Sequence, residues 1–496
     1  MRVQETLFFI AAVILMLLFL SLSFPEEGVV IAGKRLYFPS VEEALMQEPD
    51  TSANVLAAMD AMEESLTMDQ LVDSAAITHE QAYQDSLLFY TNFFETHPSR
   101  IYLPDNDLKF FDTVFDQMEN CRKDNQVVHI LHYGDSQIEG DRITGFIREQ
   151  LQEKFGGNGP GLLPAVQPIP SAAVGQTASG NLKRYIISGT MMDRVSHRRY
   201  GALGQVAQVM NGNSISVATR NWKGTFEQVK TFSKVRLYVG YNNGLLRATL
   251  KTSDQPAEIQ TIGQAHSEFE VLTWNLAEPV KKITLNLSGS AEIYGLSLDG
   301  NYGVAVDNIP LRGSAGTFFT DINPTVMRSM LQDLNVSLII MEFGGNKMPA
   351  IRGNKNISDY KKQVSEQINY FRQINPTMKI LLIGPADMST KVNGKLQTYP
   401  FLEQTIDSMR TAALENGAAF WDMYQVMGGR NSMIKWVQNK PALAAPDYIH
   451  FTPKGADRIA KTFYESLMIY YDYAHFQKQH KQQMEMWARQ TRQRSK

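Results

Sequence analysis

Three short motifs in this chain carry residue types that together can perform nucleophilic catalysis. They are Gly134-Asp135-Ser136-Gln137, Gly344-Gly345-Asn346 and Asp447-Tyr448-Ile449-His450, in that chain order. A serine becomes a nucleophile when a histidine takes its proton, and a carboxylate on the far side of the ring orients that histidine. The three-residue spacing of Asp447 and His450 lets a turn bring the carboxylate to Nδ1 and leave Nε2 for a serine. The motifs therefore predict a triad of Ser136, Asp447 and His450.

Each motif also has a structural interpretation without chemistry. Ser136 could cap the helix that follows it, because serine is a preferred N-cap residue. Gly344-Gly345-Asn346 could be an ordinary turn. In the third motif, Thr452 could cap a helix with Pro453 at its first position. Three such motifs in sequence order, each near the end of a predicted strand, favour the catalytic interpretation.

The elements around these motifs predict an α/β fold. Apolar runs at Val127–Leu131, Val336–Phe343 and Met378–Ile383 are typical of buried parallel strands, and each ends in glycine-containing turns. Helical spacing follows at Tyr360–Ile374 and Gly455–Tyr471. This alternation predicts a parallel sheet between two helical layers, with the motifs at the edge where such sheets hold ligands.

Residues 176–300 have a different pattern. Short segments that alternate polar and apolar residues are separated by Asn, Gly and Ser turns, which predicts an all-β sandwich inserted between hydrolase segments 101–175 and 301–472. Trp222, Trp274, Tyr238 and Tyr241 of the insert could stack on sugars, although most aromatic residues of a small sandwich are core.

The N-terminus predicts a membrane anchor. Leu7–Phe24 is an uncharged apolar run between Arg2 and an acidic pair, long enough to span a bilayer with the remainder of the chain exported. A cleaved signal peptide is the alternative for residues 1–24. We expect a stalk at 25–100, a short acidic helix at Ala57–Leu66 and a basic, polar, helical tail at 473–496. The expected location is the periplasmic face of the inner membrane, or the periplasm after cleavage.

Composition argues against several other classes of protein. A net charge of −3 does not suit a nucleic-acid-binding protein. The single cysteine, Cys121, excludes an intramolecular disulfide and a cysteine-based zinc site, and the nine histidines include no HExxH motif. We therefore expect neither a metal nor another cofactor, and no nucleic-acid partner.

The three motifs resemble three of the four sequence blocks of the SGNH (GDSL-type) hydrolases. The remaining block supplies an oxyanion-hole glycine, for which we prefer Gly313 and keep Gly316 as the second choice. The extended first block (HYGDSQIEGDRITGFIREQL) and the insert before the second block are similar to bacterial peptidoglycan O-acetylesterases, whose insert resembles a carbohydrate-binding-module jelly roll. The resemblance implies a three-layer α/β/α fold and an O-acetylated glycan as substrate.

The implied reaction is acyl transfer through an acetyl-serine. Ser136 would attack the acetyl carbonyl while His450 takes its proton and Asp447 orients the ring. The backbone N–H groups of Ser136 and Gly313 and the side-chain amide of Asn346 would hold the oxyanion. An O-acetyltransferase with the same acyl-serine, or a non-catalytic glycan-binding protein, are the alternatives. Release of acetate, transfer to an acceptor glycan, or binding without hydrolysis distinguishes the three.

Other polar residues near the serine have bland interpretations. Asp135 is expected to brace the turn, and His132 is expected to be packed rather than catalytic. Gln137, Glu139, Asp141 and Arg142 are expected to open the following helix, where acidic side chains favour the helix dipole.

Overall fold

The structure is a computed structural model. It describes residues 29–31, 34–36, 68–179, 182–210, 212–221, 226–253, 255–263 and 266–494, with only the backbone for 29–31, 34–36, 68–79 and 490–494. Within these ranges no helix has the length and apolarity needed to cross a membrane. The predicted anchor at Leu7–Phe24 and the predicted helix at Ala57–Leu66 lie outside the described residues, so both stay predictions.

The described strands, in chain order, are β1 (Val29–Ile31), β2 (Lys34–Leu36), β3 (Ile101–Tyr102), β4 (Val127–Gly134), β5 (Gly161–Leu163), β6 (Val174–Ser179), β7 (Lys183–Ile186), β8 (Gln205–Met210), β9 (Asn213–Thr219), β10 (Phe232–Asn242), β11 (Leu246–Lys251), β12 (Glu258–Ile262), β13 (Glu270–Val280), β14 (Lys282–Ser288), β15 (Ser290–Asp299), β16 (Gly303–Pro310), β17 (Val336–Glu342), β18 (Lys379–Ile383), β19 (Ser389–Val392), β20 (Lys395–Thr398) and β21 (Ala419–Trp421). The α-helices are α1 (Met68–Thr96), α2 (Asp112–Asn120), α3 (Thr144–Phe155), α4 (Pro324–Asp333), α5 (Asn354–Ile374), α6 (Leu402–Glu415), α7 (Met423–Met427), α8 (Ser432–Gln438) and α9 (Pro453–Arg494).

The chain forms two compact units, Met1–Ser86 and Leu87–Lys496. In the first unit, β1 and β2 pair as antiparallel strands. The second unit holds all three sequence motifs and both large β structures. Its first residues belong to the end of α1, a helix in a segment that we expected to be a linker. Aromatic residues at helical spacing explain it, since Phe94 packs against Tyr470 of α9 with ring centroids 4.8 Å apart.

A parallel sheet with helices on both faces carries the motifs. Its strand order is β16-β4-β17-β18-β21-β3, and all neighbours are parallel except the short edge strand β3. Leu131 and Tyr133 of β4 enter a core with α4, α5 and α6, whereas Val128 and Ile130 enter a core with α2, α3 and α9. Alternate residues of a strand point to opposite faces, so these strands are apolar on both sides. The predicted α/β/α sheet is confirmed.

The inserted β structure is a sandwich of two antiparallel sheets. One has the order β13-β10-β15-β8-β7, with β5 also paired to β15, and the other has the order β12-β11-β14-β9-β6. A separate core, which includes Trp274 and Leu285, fills the space between the sheets. The prediction of extra antiparallel sheets inserted in the α/β fold is therefore confirmed, and the strands run from residue 161 to residue 299.

Buried ionic groups join the sandwich to the parallel sheet. Arg236 of β10 donates to Asp299 at 3.1 Å, to Asp333 at 3.0 Å and to Nε2 of His129 at 3.0 Å. Because His129 accepts at Nε2, its proton lies on Nδ1, which donates to Asp307 at 2.7 Å. Charges taken out of water are stable only when their partners are all present, so these contacts fix the position of the sandwich on the sheet.

Candidate active site

Ser136 lies two residues beyond the carboxyl end of β4. Oδ1 of Asp135 accepts the N–H of Gln137 at 2.9 Å, which closes a tight turn around the serine. A Cβ atom on Gly134 would lie 2.9 Å from the side chain of Ile138, so the close turn requires glycine there. The helix α3 begins only at Thr144, with Ile143 as its N-cap residue. Ser136 is therefore not the cap of this helix.

Asp447 and His450 lie in the loop between α8 and α9. Oδ1 of Asp447 accepts the N–H groups of Ile449 at 2.9 Å and His450 at 3.0 Å, while Oδ2 lies 2.7 Å from Nδ1 of His450. Tyr448 adopts a left-handed conformation, with φ of 58°, that folds the loop back. Although partial burial opposes it, the hydrogen bonds from His450 and the backbone hold the pKa of Asp447 below its usual value.

The structure brings the three predicted triad residues together. Nε2 of His450 lies 2.8 Å from Oγ of Ser136, and Asp447 contacts the other ring nitrogen. With Nδ1 donating to the carboxylate, Nε2 is left as the acceptor for the serine proton. The geometry is that of a serine nucleophile with its general base.

Two further side chains hold the serine turn against the histidine loop. The amide of Gln137 donates to the carbonyl oxygen of Ile449 at 2.7 Å and accepts the N–H of Phe451 at 3.3 Å, so it binds the backbone on both sides of His450. Arg142 donates to the carbonyl oxygen of Ser136 and, at 3.3 Å, to that of Phe451. Both residues position the triad rather than take part in the chemistry.

These contacts correct the expectation that residues 137–142 open the helix α3. Residues 137–142 precede the helix, because Gly140 and Asp141, each with φ of 70°, break the helical path. Asp141 pairs with Arg148 at 2.6 Å, and Glu139 pairs with Arg312. The sequence offered a signal that we missed, because a long run of polar residues directly after a nucleophile turn suits a loop with side-chain hydrogen bonds.

Two of the predicted oxyanion donors have unused N–H groups. Neither the N–H of Ser136 nor that of Gly313 has a hydrogen-bond acceptor among the described residues. Gly313 lines the cleft, has φ of 74° and has no atom within 4 Å of a hypothetical Cβ. Gly316, the second choice, packs against Phe343, and its N–H donates to Oγ of Ser314 at 3.0 Å. The geometry favours Gly313.

Asn346 lines the same cleft but has other partners in this structure. Its Nδ2 donates to Oδ2 of Asp135 at 2.7 Å and to the carbonyl oxygen of Ser314 at 3.2 Å. These two acceptors orient the amide group towards the serine turn. A contact with an oxyanion requires one of the two hydrogens to be shared or redirected, so the role of Asn346 stays a prediction.

Asp135 does more than brace the turn. It is buried, and burial together with the nearby Glu342 carboxylate raises its pKa to about 6, against the hydrogen bonds from Gln137 and Asn346. His132 is packed, as expected, between Glu342 at 3.1 Å and Oγ1 of Thr144 at 3.0 Å. Glu342, which the sequence analysis did not single out, ends β17 and lies beside Asp135 in the cleft.

The triad opens into a cleft of about 480 Å³. Pro349, Pro385, Met388 and Met423 supply apolar walls, and Arg312 and Glu139 lie at its rim. This size is in the range of small-molecule and saccharide sites. Within the described ranges no three His, Cys, Asp or Glu side chains are placed to hold a metal.

The aromatic residues of the insert are mostly core, as expected. Trp274 and Tyr238 are fully buried. Tyr241 is partly exposed and stacks with Arg199, whose guanidinium carbon lies 4.9 Å from the ring centroid. Trp222 lies outside the described residues.

The chain matches no family model and no curated protein sequence. Among solved structures, a peptidoglycan O-acetylesterase matches over 73% of this chain and 94% of its own, at 20% identity and a TM-score of 0.57. A putative GDSL-like lipase from Parabacteroides merdae matches over 34% and 74% at 15% identity, with a TM-score of 0.27. A family two carbohydrate esterase from Cellvibrio japonicus matches over 61% and 99% at 10% identity, with a TM-score of 0.23. The chain therefore shares its fold with the first of these structures along nearly the whole length of that structure.

Proposed function

We propose that this protein is a serine esterase that removes O-acetyl groups from a cell-envelope polysaccharide. The observation that carries the proposal is the continuous contact from Asp447 through His450 to Ser136, at 2.7 Å and 2.8 Å, at the edge of a parallel sheet. A capping serine or a polar loop has no need of this arrangement. The cleft beside it contains two unused backbone N–H groups, as an ester carbonyl requires.

The reaction proceeds in two halves. Oγ of Ser136 attacks the acetyl carbonyl carbon, its proton passes to Nε2 of His450, and the carbonyl oxygen becomes an oxyanion near the N–H groups of Ser136 and Gly313. The intermediate collapses, and the departing sugar oxygen takes the proton from His450. Water then attacks the acetyl-serine with His450 again as base, which releases acetate. Asp447 keeps the ring in one tautomer and stabilises the imidazolium.

Peptidoglycan is the substrate that we propose. The support is the fold shared with the solved peptidoglycan O-acetylesterase over most of both chains. The predicted N-terminal anchor, with the catalytic unit on the periplasmic side, agrees with an insoluble wall polymer as substrate. Digestion of intact spheroplasts with an added protease tests the periplasmic location of the catalytic unit separately.

The direct test is acetate release by the full chain. O-acetylated peptidoglycan, acetylated xylan and 4-nitrophenyl acetate are compared for the wild type and the Ser136→Ala variant. Release from peptidoglycan that the variant lacks supports the proposal. Hydrolysis of xylan but not of peptidoglycan would keep the esterase and change the glycan. Acetyl transfer to an added glycan in place of acetate release would make the protein a transferase, and no turnover of any ester would overturn the catalytic proposal.

A further inference from the structure

A second cavity, of about 620 Å³, lies next to the catalytic cleft. Arg312 lines both spaces, and its ion pair with Glu139 forms the boundary between them. The floor comes from β16 and from the turn after Glu139, whereas the opposite wall comes from β7 and β8 of the sandwich. A chain-like substrate that leaves the cleft past Arg312 therefore enters this second cavity.

The wall formed by the residue before β5 and by the segment between β5 and β6 is rich in proline. Pro160, Pro164, Pro168 and Pro170 all line the cavity, and each fixes its own φ angle. A wall of this kind exists before the ligand binds, which lowers the entropic cost of binding. The apolar faces of its proline rings suit the C–H faces of a sugar.

The charges that line the second cavity do not balance. Four of its lining residues are ionisable: Asp141, Arg148, Arg184 and Arg312. Asp141 and Arg148 neutralise each other at 2.6 Å, and Arg312 is neutralised by Glu139. Arg184 has no carboxylate within ion-pair distance in the described part of the chain, and partial burial lowers its pKa although Asp193 opposes this. A half-buried cation without a carboxylate in direct contact is costly unless a ligand supplies the anion.

The contact of Arg184 with Gln205 adds a second donor. Nε of Arg184 donates to Oε1 of Gln205 at 2.6 Å, which fixes the orientation of this buried amide. The two terminal nitrogens of Arg184 and Nε2 of Gln205 make no hydrogen bond to another described residue. Together they offer a fork of N–H donors at one place on the cavity wall, which matches the two oxygens of a carboxylate.

We propose that this cavity is a subsite for a saccharide that carries a carboxylate, next to the acetylated saccharide in the cleft, with Arg184 and Gln205 as its anion-binding residues. This inference rests on the proposed function, which places the acetylated saccharide in the cleft. It deepens that function because it names a charged polymer as the substrate class. Muramic acid is a saccharide with such a carboxylate wherever no peptide is linked to it. A neutral glycan such as xylan would leave Arg184 without an anion.

The test measures binding without turnover. The full-length Ser136→Ala protein is titrated calorimetrically at pH 7 with two disaccharides that share a ring skeleton, N-acetylglucosaminyl-N-acetylmuramic acid and the neutral N,N′-diacetylchitobiose. We expect the anionic disaccharide to bind at least ~10-fold more tightly than the neutral one, because its carboxylate makes a charge-assisted contact with Arg184. Adding Arg184→Ala should make the two affinities equal, and Arg184→Lys should retain part of the preference.

The matched control is Arg220→Ala. Like Arg184, Arg220 is a half-buried arginine of the insert. Its Nε donates to a backbone carbonyl at 3.1 Å, and the residue lines neither cavity. The Arg220→Ala variant should keep the full preference for the anionic disaccharide. Circular dichroism with thermal melting checks that each variant is folded. Equal affinity for both disaccharides before Arg184 is changed, or a preference that survives Arg184→Ala, overturns the subsite. Because no step of this experiment needs hydrolysis, its failure is distinct from a failure of the esterase proposal.

Discussion

Oγ of Ser136 lies 2.8 Å from Nε2 of His450, although 314 positions separate the two residues in the chain. Their contact depends on how two independent loops are held together, and a misplacement of about 1 Å in such a site can cost ~100-fold in rate. Gln137, which bonds to the backbone on both sides of His450, supplies much of this restraint.

We therefore expect Gln137→Ala to lower kcat on 4-nitrophenyl acetate by ~10- to 100-fold. KM should change little, because the side chain holds a loop and not the ester. The control is Gln150→Ala on α3, since the amide of Gln150 bonds to Glu153 and lines no part of the cleft. An unchanged kcat in Gln137→Ala would show that the histidine loop keeps its position without this clamp.

Asn346→Ala tests the least settled of the oxyanion donors. Loss of a donor that acts in the transition state should lower kcat by ~100-fold or more with little change in KM. If Asn346 instead only braces Asp135 and Ser314, its removal should lower the melting temperature and leave kcat within a few-fold of the wild type. Asn369→Ala on the exposed face of α5 is the control, because Asn369 bonds only to Asn416 there.

Asp135 should make stability depend on pH with the sign opposite to that of most carboxylates. Its pKa is about 6 in the folded protein and about 4 in an unfolded chain. The folded state thus binds the proton more tightly, so the contribution of Asp135 is fully present below pH 4 and is lost as pH rises through 6. In Asp135→Asn this pH-dependent loss of stability is absent, because asparagine does not titrate. Relative to the wild type, its free energy of unfolding should increase from pH 4 to pH 8, by roughly 3 kcal/mol at most.

Urea unfolding at the two pH values provides the measurement. A difference between Asp135→Asn and the wild type that does not change with pH would mean that the carboxyl group titrates normally. Activity is a separate readout, because asparagine has one acceptor oxygen in place of the two that accept from Gln137 and from Asn346.

Arg236→Met should be strongly destabilising. It leaves Asp299 and His129 buried without their shared donor, and removal of one member of a buried ionic group typically costs about 3–5 kcal/mol. Arg247→Met is the matched control, since Arg247 lies exposed on β11 of the same sandwich. Chemical unfolding of both variants checks the difference, and equal stabilities would show that water reaches the junction.

The triad could be predicted because each of its motifs is local. Gly134-Asp135-Ser136 needs only a turn after a strand, and Asp447 and His450 are three residues apart. The apolar run at Val127–Leu131 likewise marks β4, since a strand buried on both faces is mostly apolar and this run has His129 as its one polar residue. Patterns confined to a few residues are readable without the fold.

The clamp and the second cavity could not be predicted, because their partners are distant in sequence. Gln137 and Phe451 are 314 positions apart, and Arg312 reaches Glu139 across 173. The acidic residues at 139 and 141 resemble a helix start, and only the left-handed conformations of Gly140 and Asp141 show otherwise. The helix at Met68–Thr96 could not be predicted for the same reason, because Tyr90 and Phe94 find their aromatic partners on α9 at the other end of the chain.

The buried contacts of Arg236 and His129 have a consequence for protein engineering. Besides its own core, the insert contributes residues to a core of the hydrolase, in which Tyr133 of β4 donates to the carbonyl oxygen of Ala202 at 2.7 Å. The sandwich is therefore not an independent domain that can be exchanged. A chimera that exchanged it for another carbohydrate-recognition domain would strip charged and aromatic groups of their partners, so grafting new specificity onto this scaffold has to proceed by changing residues at the cavity wall instead.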